Sequence, residues 1–159
     1  MNRTNNLRLV LIGLGFVILQ VILLRHLQIF GAEPDLILVF LLWLCKSKSR
    51  TSVLLYAALL GLMQDALLDL WGIHLFSKTF MVSILHPTLH RISKNKFIFW
   101  QVLIIVFVSA LFHNIIFFGV TIFSELHASG GTNLAIRLFI SSVYTAFLGA
   151  FLQLVKEDN

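Results

Sequence analysis

Six long apolar stretches, divided by gaps of only a few residues, leave this chain little polar surface to show to water. They run from Leu9 to Phe30, Pro34 to Cys45, Thr51 to Leu70, Ile73 to His90, Phe97 to Phe123 and Leu134 to Val155. A helix needs roughly 20 mostly apolar residues to cross about 30 Å of hydrocarbon, so most of these stretches are candidate membrane spans. The second is short, and is expected to sit in thinned bilayer, lean on neighbours or begin below the outer interface. Gly31-Ala32-Glu33-Pro34 breaks the helix before it, and Pro34 fits the first turn of the helix that follows.

Charge agrees with hydropathy. Only 12% of the 159 residues are charged, against about a quarter in a soluble domain. The mean hydropathy is +0.93. The net charge of +5 does not describe a nucleic-acid surface, because no basic run is interleaved with aromatics on a polar domain. Lys and Arg gather instead in alternate gaps: Arg3 and Arg8, then Lys46, Lys48 and Arg50, then Arg91, Lys94 and Lys96, then Lys156. The intervening gaps hold none, apart from Arg25 at an edge and Arg137 beyond the fifth gap. By the positive-inside rule both termini are expected in the cytoplasm. The run from Leu9 to Leu24 follows two arginines as a signal peptide would, but it is long and no small-residue cleavage site follows, so a retained first span is expected. Cys45 is the only cysteine, which excludes an intrachain disulfide and a cysteine cage for a metal. The expected fold is therefore an all-α integral membrane protein, a six-helix bundle with short loops forming one domain over residues 1–159.

Polar residues inside such spans are costly, and they mark the places to look for function. Gly61, Asp65 and Asp69 recur every four residues and share one helix face. With a bend between Trp71 and Gly72, Asp65 and Lys78 lie equally far from the apex, each about 10 Å below it at 1.5 Å of rise per residue. The geometry predicts an Asp65–Lys78 pair, read as a structural bridge in preference to a relay, since one deep carboxylate does not make a chain of polar groups. Asp69 and His74, also equidistant, are expected to be wet. His86 and His90 are one turn apart around Pro87, but zinc needs further ligands that no nearby Cys, Asp or Glu supplies. His113-Asn114 is expected to join helices by hydrogen bonds, and Ser142, Ala146, Gly149 and Ala150 form a small-residue stripe for close packing. No nucleophile elbow, metalloprotease helix or phosphate-cradling loop is present. Neither an enzyme nor a cofactor or metal is expected.

Pro34-Asp35-Leu36 opening a short helix, a basic gap, Gly61-Leu62-x-x-Asp65, a bend at Gly72 and then Ser77-Lys78 resemble the rod-shape-determining MreD family. The family's Leu-Gly at the bend is Trp71-Gly72 here. The resemblance implies a bacterial inner-membrane protein of the cell-elongation machinery, which supports side-wall peptidoglycan synthesis. Its implied partners are MreC and, through it, RodA, a class B penicillin-binding transpeptidase and MreB. It also implies a fold similar to the S-components of energy-coupling-factor vitamin transporters. The other expectation is thus a small-molecule, vitamin-type binding or transport subunit. Pro34, Asp35, Gly61, Asp65, Gly72 and Lys78 are the site residues the resemblance marks.

Overall fold

The computed structural model describes residues 3–29, 31–92, 99–123 and 134–157. Six helices form: α1 Arg3–Ile22, α2 Leu36–Ser47, α3 Arg50–Leu68, α4 Ile73–Ile92, α5 Phe99–Phe123 and α6 Leu134–Glu157. Among the described residues there is no strand, only an isolated bridge between Ile29 and Ala32. The polar stretch Ser124–Asn133 and the basic residues Lys94 and Lys96 lie outside the described residues.

Helix α2 is the axis of the bundle. It touches each of the other five helices, and eight of its twelve residues are buried. A helix that is apolar all round has to be surrounded by protein or lipid, and Leu36 to Cys45 carries no polar group beyond the Trp43 indole N–H and the thiol. The hairpins α3–α4 and α5–α6 pack around it, while α1 covers α2 and α3. Gly13 permits that approach, since a β-carbon there would lie 2.9 Å from Leu60 Cδ2 and 3.2 Å from Phe40 Cε1.

The outside of the bundle carries many large apolar side chains. Leu55, Leu62 and Leu67 on α3, Phe76 and Phe80 on α4, and Phe147 and Phe151 on α6 are all exposed. Trp100 and Phe123, exposed near opposite ends of α5, are about 35 Å apart along a helix. That spacing suits the two interfaces of a bilayer, where aromatic side chains collect. These are the surfaces of a membrane protein.

Six helices form, but not six independent spans. Among the described residues only Arg50–Leu68, Phe99–Phe123 and Ile136–Gln153 have both the length and the composition to cross a bilayer. The first apolar stretch ends as a helix at Ile22, not Phe30, and gives way to a 3-10 turn over Leu24–His26. Its apolar part, Asn6–Ile22, and α2 are both short; α2 covers about 18 Å at helical rise. Helix α4 carries His74, Lys78, His86 and His90, which lower its hydropathy. These shorter or more polar helices depend on their neighbours. Pro34 also stands two positions before the first helical residue, Leu36, because Asp35 is the capping residue.

Candidate functional site: a buried polar centre

The start of α2 lies inside the protein, and its first backbone N–H groups have no helical partners. Three side chains answer them. Asp35 Oδ1 accepts from Leu38 N at 2.9 Å, and Gln20 Oε1 on α1 accepts from Ile37 N at 3.1 Å. The Asp35 N–H itself donates to Thr145 Oγ1 on α6 at 3.0 Å. Ser141 Oγ, one turn before Thr145, donates to Glu33 O at 2.7 Å, tethering the chain that leads into Pro34. Four hydrogen bonds therefore place one helix end.

The other carboxylate oxygen of Asp35 receives Lys78 Nζ in an ion pair, and Lys78 is 0% exposed. His113 Nδ1 on α5 lies 3.8 Å from the same oxygen, too far for a hydrogen bond. The opposite ring nitrogen is 3.2 Å from Ser77 Oγ. Asn114 Nδ2 donates to Ser142 Oγ on α6 at 3.1 Å. His113-Asn114 thus joins α5 to α4 and α6, as its mid-helix position predicts. The small-residue stripe is also used: Ser142, Ala146 and Ala150 are buried, and a β-carbon on Gly149 would lie 3.0 Å from Val106 Cγ1.

Asp65 does not take the lysine. Its Oδ1 accepts from His74 N and its Oδ2 from Leu75 N, both at 2.9 Å. The bend uses Asp69, with φ 56°, and Gly72, with φ +81°, and α4 starts at once with Ile73. Asp65 therefore meets the first turn of α4, where unpaired N–H groups and the helix dipole favour a carboxylate. Lys78 lies one turn deeper, facing α2. Equal spacing from the apex is the wrong measure, because it ignores those donors. His74 is likewise not wet: it is buried, its ring 4.5 Å from that of Phe117, while Asp69 is exposed.

Gly61 makes this cap possible. A β-carbon there would lie 2.6 Å from Leu75 Cα and 2.8 Å from Leu75 N, so α3 touches the backbone of α4 through the residue one turn before Asp65. Gly72 tolerates its positive φ because it lacks a side chain, and its carbonyl accepts from Phe76 N at 2.9 Å. We expect Asp65→Ala to strand one buried and one part-buried N–H group and cost about 2 kcal/mol. Asp65→Asn, which retains one acceptor, should cost less. Unfolding of the purified protein in mixed micelles measures both, and equal stability of all three forms would remove the cap from the account.

The far end of the bundle follows the same logic. His86 Nε2 lies 3.0 Å from Lys48 O and His90 Nδ1 3.3 Å from Cys45 O, so both imidazoles serve carbonyls at the end of α2. Their rings stack at 5.4 Å. Among the described residues no group of three His, Cys, Asp or Glu is placed to hold a metal. Pro87 removes the N–H that Ser83 O would receive, and Arg50 Nη2 donates to that carbonyl at 3.0 Å instead. The helix runs on through Pro87 without a break.

Pro34, Asp35 and Lys78 thus fall on one device, and Gly61, Asp65 and Gly72 on another, with α4 common to both. Sequence reasoning missed Gln20 and Thr145. Gln20 had a visible signal as the one polar side chain between Leu9 and Leu24. Thr145 had none, since a threonine in a span normally bonds its own helix, as this one also does to Ser141 O at 2.7 Å. Fold and site together define a class: a small helical membrane bundle whose buried polar residues hold a short central helix. Searches of protein-family profiles, curated proteins and solved structures gave no match for the chain.

Proposed function

We propose that this protein is a non-enzymatic, multi-pass scaffold of the bacterial cytoplasmic membrane, with both termini inside. Its role is that of an MreD-like member of the cell-elongation machinery. It binds the single membrane helix of MreC and, through MreC, supports RodA and its transpeptidase in side-wall synthesis. The six-helix arrangement is read as S-component-like. The observation that carries the proposal is the use of the six resembling residues. Pro34, Asp35, Gly61, Asp65, Gly72 and Lys78 shape or hold the starts of α2 and α4, and none is spent on an outward-facing group. Residues used in this way build a rigid surface for a partner. A membrane partner then docks by close packing and a few polar contacts on that surface.

The vitamin-type reading gains less from the structure. A lateral groove of about 310 Å³ is present, but among the described residues its polar lining is confined to Lys46, Gln153 and the indole of Trp43. A vitamin needs several converging polar groups to orient it. Photocrosslinking in cells, with the probe stepped along the exposed faces of α1, α3 and α6, tests the proposal. Crosslinks to MreC on one face, and loss of rod shape on depletion, are the expected results. A purified protein that retains a vitamin, with no MreC crosslink at any position, would overturn it.

A further inference from the structure

The face of α2 that lies between α1 and the α5–α6 pair is not closed over. Among the described residues helix α1 packs on α2 and α3, and its backbone stays apart from those of α5 and α6. The result is a groove of about 310 Å³ floored by Val39 and Phe40, walled by Phe16 on one side and Val106 and Leu152 on the other. From Leu36 at its deep end to Lys46 at its mouth, the groove follows α2 for about 15 Å at helical rise. That is half of the roughly 30 Å hydrocarbon thickness, the depth of a single leaflet.

We propose that this groove binds one acyl chain of an anionic glycerophospholipid, with the lipid phosphate held at the Lys46 end. Size selects the occupant. A membrane helix is about 30 Å long, twice the length of the groove along α2, whereas one flexible chain matches both its length and its apolar walls. Charge selects the headgroup: among the described residues of the lining, Lys46 is the one that carries a charge, and that charge is positive. A basic group at a membrane surface contributes roughly fivefold to the binding of an anionic lipid. The lipid would complete the wall that α1 leaves open and hold α1 against the rest of the bundle. This site rests on the membrane setting alone. Loss of lipid binding would leave partner docking untouched, and loss of MreC association would leave the lipid site untouched.

Native mass spectrometry of the delipidated full chain tests the site. The probes are phosphatidylglycerol, phosphatidylcholine with the same tails, and glycerol phosphate alone. One phosphatidylglycerol should be retained per chain, with roughly fivefold weaker retention of phosphatidylcholine, and glycerol phosphate should not compete. Lys46→Gln should abolish that preference while keeping the tail bound. Leu152→Trp, which fills the mouth from a partly exposed rim position, should remove both lipids. Ile12→Trp does the same from the opposite wall and covers the case in which the first variant misfolds. The proposal is overturned by substoichiometric lipid, by an unchanged preference in Lys46→Gln, or by free glycerol phosphate competing fully. Crosslinks from the groove to a second copy or a partner helix in place of lipid would overturn it too.

Discussion

Lys78→Met is expected to destabilise the bundle by about 3–5 kcal/mol, because it leaves the Asp35 carboxylate buried without its countercharge. Asp35→Asn should cost a similar amount for the mirror reason, since it strands a lysine that is 0% exposed. The asparagine is chosen with care. It still caps a helix well, so the bond to Leu38 N survives and the loss reports the charge alone. The double variant is the decisive measurement. With both charges gone the desolvation penalty disappears, and a buried pair replaced by neutral groups is often no less stable than the original. The double variant should therefore recover most of what either single change loses, a strongly non-additive cycle. Additive losses, measured by reversible unfolding in mixed micelles, would mean that the two side chains do not meet.

The second large effect is steric. Gly61→Ala places a methyl group 2.6 Å from Leu75 Cα, and a backbone atom cannot swing aside as a side chain does. Helices α3 and α4 must separate, which also pulls Asp65 away from the N–H groups of His74 and Leu75. Overpacking typically costs about 1–3 kcal/mol, and loss of the cap about 1 more. Gly15 and Gly119 provide the internal control, as a β-carbon at either meets nothing within 4 Å. Alanine there should be neutral or stabilising by up to about 1 kcal/mol, the ordinary preference of a helix for alanine. If Gly61→Ala behaves like Gly119→Ala in a thermal melt, the two backbones are not in contact.

Both effects follow from a common arrangement. A short helix buried at its start needs partners for its N–H groups, and a membrane interior has no water to supply them. The chain meets that need with an aspartate inside the helix's own cap at α2 and with a borrowed aspartate at α4. Proline and glycine are placed where backbone bonds are missing or where backbones must touch. Arg50, taking the carbonyl that Pro87 leaves open, is the same solution at the other end of α4.

Much of this was legible in the residues. Hydropathy and breakers locate all six helices and the bend at Trp71-Gly72, with five starts within two residues; the first helix begins six residues before Leu9 and stops eight before Phe30. The face shared by Gly61 and Asp65, the interhelical use of His113-Asn114 and the close-packing stripe on α6 were also readable, because they depend on helical periodicity and residue size. The partner of Lys78 was not. Asp35 is 43 residues away, on a helix whose position is set by contacts with all the others, and no spacing along the chain encodes that.

Local chemistry therefore determined which segments become helices and which side chains must avoid lipid, since hydropathy, caps and backbone freedom act within a few residues. Only the tertiary structure decided which buried carboxylate meets which donor. That choice is made between segments far apart in the chain, by whichever unpaired N–H or ammonium group packing brings within reach. Asp65 found two N–H groups at the start of α4, and the lysine one turn deeper was left for Asp35.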